Sequence, residues 1–425
     1  MNKIEKKPIE ILSTIILTIA IFVVPVIIIP GTNYNYFKMV ILYCCGVGLA
    51  ITFLFATHNL KIHLEDYFLV GFGIMVAVST IFSVNIEKSI WGEWQRYEGL
   101  IAFVTYFLIY FSAKNYFIRY KNFEKVATIV YTGICAFAVL QYFMAKSIEL
   151  SPLFGKGANG TFGNVNFFGS FVSLILPLFI FQYLQTGNKK YIISSAIGSA
   201  ALIACVTRSA WVAFACFYFV LFLYVMQKNK KEYRKKFGIL SLVIFLTFSF
   251  MFITQGKNSV VSNKFDAIGD ETERFINYGL VNSIGSGRIS IWKWCSRVVI
   301  KSPIIGCGVD ALSTGLAKYF EEEYSKFVDR NNVYIDKAHN EYLQIGATMG
   351  LPALIFYLGF ICTIIAKLLK KIETDATIMM LLIVLISYIV QAFFNFSTIG
   401  VAPILWFILG MASKQVNEQK EAKEN

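Results

Sequence analysis

Charged residues are scarce in this chain of 425 residues, where they make up 15%, whereas hydrophobic residues make up 56%. With a mean hydropathy of +0.61, this composition excludes a soluble domain and indicates a polytopic membrane protein. The alternating pattern of barrel strands is missing. Because every backbone N–H and C=O in lipid needs an internal partner, the spans are predicted to be helices.

Histidine is also scarce, with three residues, and neither HExxH nor CxxC spacing occurs. A protein metal site therefore gains no support. Six of the eight cysteines lie in apolar runs, where a free thiol behaves as a small hydrophobe. Cys295 and Cys307 lie in a polar stretch, where they either pair in an oxidising exterior or stay as a reduced, packed pair.

Long apolar runs dominate what remains, and twelve are near the roughly 20 residues that cross a bilayer. They are 9–29, 37–57, 66–83, 99–113, 126–144, 167–185, 191–206, 209–226, 237–253, 341–366, 376–394 and 401–412. The sequence thus predicts an all-α polytopic membrane protein with about twelve transmembrane helices. Nine lie in 1–254 and three in 341–412, with a long loop at 255–340 and a charged tail at 413–425. The first has no small-x-small cleavage site, so we expect an uncleaved anchor.

Lysine and arginine positions predict the orientation. With the N-terminus inside, the inner segments carry 22 of these residues and the short outer loops carry six. This is the asymmetry of the positive-inside rule. Both termini are therefore predicted to be cytoplasmic and the long loop extracytoplasmic. The net charge of +13 serves orientation, and we do not predict nucleic-acid binding from it.

The long loop contains predicted surface helices. A glycine- and serine-rich break at 282–287 is followed by apolar residues at helical spacing in 288–300, which predicts an amphipathic helix on the membrane surface. Pro303 ends this helix, and a second short helix is expected near 311–327.

His339 follows the loop where an apolar span begins, and it is the one histidine predicted to face outward. His58 and His63 fall in the first cytoplasmic loop. The positive end of a helix dipole disfavours the protonated ring, so we expect a neutral imidazole that can act as a general base. The alternative interpretation is that His339 and Asn340 merely cap the helix.

Two arginines can bind phosphate oxygens through their bidentate guanidinium groups. Arg208 lies between two closely spaced apolar runs, at or just below the outer surface, where an unpaired guanidinium is costly. Arg288 opens the predicted surface helix. Arg208 alternatively snorkels to lipid headgroups, and Arg288 alternatively anchors its helix to lipid.

Two outer loops carry residues typical of recognition. Trp91, Trp94, Arg96, Tyr97 and Glu98 suit a sugar or lipid headgroup, or alternatively form an interfacial aromatic belt. The glycine- and asparagine-rich segment 159–166, which includes Asn164 and Asn166, either lines the site or forms a turn.

Six segments together resemble the O-antigen ligase and O-antigen polymerase family of bacterial envelope glycosyltransferases, over almost the whole chain. They are WGEWQRYEGL, GTFGNVNFFGSFVSLILPL, TRSAW, GRISIWKW, SPIIGCGVD and AHNEYLQIGATMGLPAL. One departure is Thr207-Arg208-Ser209-Ala210, where family members commonly have Ser-Arg-Gly-Ala.

The resemblance implies metal-independent glycan transfer from an undecaprenyl-diphosphate carrier, with inversion at the anomeric carbon, on the outer side of the cytoplasmic membrane. It implies no cofactor, and as partners a lipid-linked glycan donor, a lipid-linked or other glycan acceptor, and membrane lipid. His339 matches the proposed base, Arg208 and Arg288 the diphosphate-holding arginines, and Arg96 and Asn166 recurrent positions. Tyr97, Asn164 and Asn340 are further candidate substrate-binding residues.

Other functions stay open at this point. A transporter or flippase of lipid-linked glycans also fits many spans with a long polar loop, although no paired halves are evident. A noncatalytic scaffold in an envelope complex is a further alternative. Within the family, the sequence does not separate a polymerase from a ligase.

Overall fold

The computed structural model describes residues 3–29, 32–56, 60–147, 157–228, 230–255, 267, 269–271, 273, 287–373 and 375–424. All regular secondary structure within these residues is helical, which confirms the all-α class. Eight described helices are long and apolar enough to span a bilayer, and two shorter ones are also apolar. The count of twelve spans stays a prediction. His58 and the break expected at 282–286 lie outside the described residues.

The described helices run in chain order as α1 Lys3–Val26, α2 Tyr36–Phe55, α3 Leu64–Ile81, α4 Ile86–Trp91, α5 Leu100–Asn115, α6 Phe123–Ser147, α7 Val165–Thr186, α8 Lys189–Ala204, α9 Arg208–Lys228, α10 Lys231–Gln255, α11 Arg288–Lys301, α12 Leu312–Tyr319, α13 Glu321–Asn331, α14 Glu341–Met349, α15 Leu351–Lys370, α16 Ala376–Ala392 and α17 Ala402–Glu424. Two compact units divide the chain. Unit 1 comprises Met1–Arg119, Tyr278–Lys370 and Ala392–Asn425, and unit 2 comprises Tyr120–Asn277 and Lys371–Gln391.

Unit 1 is built around two helix pairs, α5 with α17 and α3 with α15. Aromatic side chains fill its core: the Trp406 ring stacks at 5.8 Å on Phe360 and at 6.1 Å on Tyr106. The fully buried carboxylate of Glu65 ion-pairs with Lys367 and accepts hydrogen bonds from Ser413 and Asn417 at 2.6 and 2.7 Å. Because Ser413 and Asn417 lie on α17, this network joins α3, α15 and α17.

The start of the segment predicted as a charged tail is therefore part of the core. Helix α17 continues to Glu424, and both Ser413 and Asn417 are buried. Composition did not indicate this, because the polar side chains of Ser413 and Asn417 donate hydrogen bonds to a buried carboxylate rather than to water.

The predicted span 341–366 is wrong as a single helix. It is divided into α14 and α15 at Gly350, which has φ +91°. A Cβ atom at this position would lie 2.0 Å from the carbonyl oxygen of Ile304, so only glycine fits. Pro352 then opens the next helix, as proline does in a first turn.

The described part of the long loop, residues 287–340, has a small core of its own. Helix α11 confirms the predicted helix, but its apolar face does not serve as a lipid-facing stripe: Trp294, Cys295 and Val298 are buried against residues of α12, α13 and the segment before α14. The apolar periodicity alone does not say whether lipid or protein covers such a face. The second expected helix is two helices, α12 and α13, which meet at Phe320. Cys295 and Cys307 are buried free thiols in this core.

Unit 2 places α8 against α6, α7 and α10. Its central helix, α7, is 89% buried over its most apolar window. Asn164 begins α7 as its N-cap, since its side-chain oxygen accepts a hydrogen bond of 2.8 Å from the backbone N–H of Asn166.

Candidate functional site

His339 lies in unit 1, directly before the N-cap of α14. The capping residue is Asn340, whose Oδ1 accepts a hydrogen bond of 2.9 Å from the N–H of Leu343, so the capping interpretation holds for Asn340 alone. The backbone of His339 has φ +50°, in the left-handed region that few non-glycine residues adopt. Such strained residues persist where their surroundings hold them, and they cluster at functional sites.

Two side chains hold the peptide group before His339. The N–H of Ala338 donates to Oε1 of Gln344 at 2.8 Å, and its carbonyl oxygen accepts from Nε1 of Trp292 at 3.0 Å. Gln344 belongs to α14 and Trp292 to α11. The backbone that carries His339 is therefore fixed from two helices.

The His339 imidazole is largely buried. Its Nδ1 has no hydrogen-bond partner among the described residues, and its ring packs edge-on against Phe396 with 5.2 Å between the centroids. Burial, then the charge of Arg288, lowers the pKa of His339 from 6.5 to about 4. A neutral ring agrees with the expectation from the sequence, and the structure adds two causes, desolvation and nearby cations.

Arg96 lies on the loop between α4 and α5 and reaches the same place. Its Nε donates a hydrogen bond of 2.8 Å to Oδ2 of Asp336, and its guanidinium carbon lies 5.5 Å from the centroid of Phe396. Burial raises the pKa of Asp336, but the charge and hydrogen bonds of Arg96 outweigh burial and bring that pKa below its usual value. Asp336 is therefore a carboxylate that neutralises Arg96 beside His339.

Unit 1 thus brings Arg96, Arg288, His339 and Asn340 together. Tyr97 differs: its ring contacts Trp94 at 6.0 Å and Tyr36 at 6.4 Å, and its buried hydroxyl has no hydrogen-bond partner among the described residues. The side chain of Trp94 is 68% exposed, which fits both the recognition and the aromatic-belt interpretation.

A buried ion cluster, which sequence reasoning missed, lies next to His339. It consists of Lys337, Asp310 and Glu98, each at most 5% exposed. Lys337 forms an ion pair with Asp310, and its Nζ lies 3.7 Å from Oε2 of Glu98. Burial raises the pKa of Glu98 to about 7 although Lys337 opposes this, whereas the two carboxylates raise the pKa of Lys337 above its usual value despite burial.

A small cavity of about 30 Å³ adjoins the cluster, with Glu98, Asp310, Lys337, Gln344 and Phe396 among its lining residues. This volume has room for a water molecule but not for a sugar. This cavity itself is therefore not a pocket for a glycan.

The signals for these residues in the sequence were weak. Asp336 and Lys337 lie near the end of a polar loop, where charged residues are ordinary. Asp310 belongs to the SPIIGCGVD segment without standing out from it. Phe396, near the end of a predicted span, is indistinguishable from an ordinary core aromatic residue.

Unit 2 brings the other predicted residues together. Arg208, the first residue of α9, forms a bidentate ion pair with Glu271, with N–O distances of 2.7 and 3.1 Å. The preceding residue, Thr207, donates a hydrogen bond of 3.0 Å to the carbonyl oxygen of Val165. The starts of α7 and α9 are thus adjacent, and Asn164 serves as a helix cap there.

A comparison with known protein families matches the part of the chain that contains these candidate residues. Residues 193–358 match the family model described as O-antigen ligase. This range includes Arg208, Arg288 and His339. The chain is also 23% identical over 367 residues to an uncharacterised protein of Haemophilus influenzae, covering 85% of this chain and 86% of that protein.

Proposed function

Since residues 193–358 match the family model described as O-antigen ligase, we propose that this chain belongs to that family and transfers a glycan from an undecaprenyl-diphosphate carrier to an acceptor hydroxyl. The transfer takes place on the outer side of the cytoplasmic membrane, inverts the anomeric carbon and requires no metal ion. The observation that carries the proposal is the largely buried imidazole of His339, whose pKa is lowered by burial and by the nearby charges of Arg288 and Arg96.

His339 is the proposed general base. A neutral imidazole can take the proton of the acceptor hydroxyl as its oxygen attacks the anomeric carbon. Because the pKa of His339 is about 4, the ring is unprotonated at neutral pH. The low pKa also makes it a weak base, so the proton leaves readily for solvent after transfer.

Arginine side chains are the proposed support for the leaving group. As the anomeric C–O bond breaks, negative charge grows on the diphosphate, and fixed guanidinium groups stabilise that charge more than the ground state. Arg288 and Arg96 of unit 1 are the candidates beside His339. For Arg208 of unit 2 the proposal depends on the family motif, and we expect it to bind phosphate oxygens in place of Glu271.

Four further residues are proposed to bind the substrate. Asn340 lies next to the base, and Tyr97 has a buried hydroxyl close to the Arg96 loop. Asn164 and Asn166 line the start of α7. Glycan hydroxyl groups are suitable partners for these side chains.

The test uses purified protein with a lipid-linked donor. His339→Ala is expected to lower the rate of glycan transfer about 10²- to 10⁴-fold, the usual contribution of a general base. Arg288→Ala is expected to lower it about 10²- to 10³-fold, the cost of losing one group that stabilises developing negative charge. Arg330→Ala, an exposed arginine of α13 in the same loop, is the matched control and keeps full activity.

Products separate the candidate functions. Release of undecaprenyl diphosphate marks a transferase, whereas a transporter leaves the diphosphate link intact. Among transferases, a ladder of lengthening lipid-linked glycan marks a polymerase, and transfer to a different acceptor marks a ligase. Full activity of the His339→Ala variant removes His339 from the mechanism.

A further inference from the structure

Lys337 is two residues before the proposed base and is 3% exposed. A lysine is seldom buried in this way without partners, because the ammonium group loses its hydration. Here the partners are carboxylates from two other segments: Asp310, which precedes α12, and Glu98, which precedes α5. The ion pair therefore fastens the segment of His339 to two distant parts of the chain.

Asp310 extends the connection to the loop of Arg96. Its Oδ2 accepts a hydrogen bond of 2.7 Å from the backbone N–H of Glu93. The side chain of Glu93 in turn accepts a hydrogen bond of 2.7 Å from the hydroxyl of Ser313. The backbone of Asp310 has φ +55°, so the residue is held in an unusual conformation to make these contacts.

Phe396 connects Lys337 with the imidazole. The Nζ of Lys337 lies 5.4 Å from the centroid of the Phe396 ring, and the His339 ring packs on it at 5.2 Å. A buried ammonium against an aromatic face is a favourable contact. Lys337 thereby fixes the ring against which the imidazole rests.

We propose that Lys337, Asp310 and Phe396 form a positioning frame that aims the His339 imidazole and keeps the Arg96 loop beside it. The inference depends on the proposed function, in which His339 is the base. Lys337 and Asp310 are positioning residues in this account, because they act through His339 and Arg96.

Replacing the ion pair by uncharged residues distinguishes a positioning role from a purely stabilising one. A buried pair that only stabilises the fold can usually be replaced by uncharged residues of similar size without loss. A frame that aims the imidazole does not tolerate the same replacement, since ion pairing fixes the distance between its partners.

The double variant Lys337→Met/Asp310→Asn removes both charges together. Methionine is uncharged, unbranched and one atom shorter than lysine. Asparagine keeps an acceptor for the Glu93 N–H and tolerates the left-handed backbone. The change is therefore balanced in charge, whereas Lys337→Met alone leaves Asp310 buried without its counter-ion.

We expect the double variant to stay folded in the membrane, with kcat reduced at least about tenfold and KM for the donor nearly unchanged. The acid limb of its pH–rate profile is expected to move to higher pH. The charged groups facing His339 are Arg288, Asp336, Arg96 and Lys337, and loss of the last removes one cation that opposes protonation of the ring.

Wild-type kcat and an unmoved acid limb in a folded double variant overturn the positioning frame. If His339→Ala is inactive at the same time, the proposed function still stands; if His339→Ala is fully active, the proposed function fails as well. Should the double variant not reach the membrane, Phe396→Leu is the second test. It is expected to lower kcat and move the acid limb in the same direction, and wild-type behaviour overturns the proposal.

Discussion

The protonation of His339 can be measured without any knowledge of the substrate. The chain has three histidines, so His58→Gln and His63→Gln leave His339 as the single imidazole. With histidine labelled in carbon and nitrogen, the ring resonances of the purified protein report its titration. We expect no change between pH 8 and about pH 5, and a midpoint near pH 4.

The magnitude follows from the burial of the ring. Lowering the pKa from 6.5 to about 4 corresponds to about 3 kcal/mol against the protonated form, at about 1.4 kcal/mol per pH unit. Because the folded state binds the proton less readily than the unfolded chain, the stability of the fold decreases as the pH falls from 6.5 towards 4. Above pH 6.5 this contribution does not vary with pH.

Two charge variants give opposite shifts. Arg288→Gln removes a cation that opposes protonation, so the midpoint moves to higher pH. Asp336→Asn removes an anion that favours protonation, so the midpoint moves to lower pH. A wild-type midpoint at pH 6 or above, or shifts of the two variants in the same direction, would falsify the electrostatic account of the site.

Two further predictions concern Glu271 and the end of α17. Glu271→Gln removes a competitor for Arg208. The side chains of this pair are 22% and 20% exposed, so we take the upper value for surface ion pairs, about 1 kcal/mol, as its strength. We therefore expect KM for the donor to fall by up to about fivefold at constant kcat, and a raised KM contradicts the proposed role. Asn417→Leu removes a donor to the buried carboxylate of Glu65, which should cost about 1–3 kcal/mol and lower the thermal midpoint in detergent. Glu418→Gln, at a mostly exposed side chain, is the control, and equal midpoints for the two variants contradict the core role of α17.

Parts of the site were accessible from the sequence. The sequence singles out His339 because it is the one histidine predicted to face outward, and Arg288 because it opens an amphipathic segment. The apolar spacing of 288–300 also predicts a helix there, and the structure has one at 288–301. The partner of that apolar face was not predictable, since lipid and protein satisfy the same stripe of side chains equally well.

The positioning frame could not be predicted. Lys337, Asp310 and Phe396 are far apart in the chain, and each has an ordinary alternative explanation as a loop charge or a core aromatic residue. The same holds for Ser413 and Asn417, whose polar side chains suggested a solvated tail. Whether a polar residue is buried can be judged only when the groups that surround it in the fold are known.

The amino-acid sequence by itself determined that this protein is a helical membrane protein. Its apolar runs must satisfy their backbone N–H and C=O groups internally in lipid, and without a barrel pattern only helices do so. It also determined which side chains are able to carry the chemistry. Only the tertiary structure decided the state of those groups, because the pKa of an imidazole depends on its burial and on cations that fold in from distant segments. The division of the tenth span at Gly350 was likewise decided there, by the close approach of the Ile304 carbonyl group.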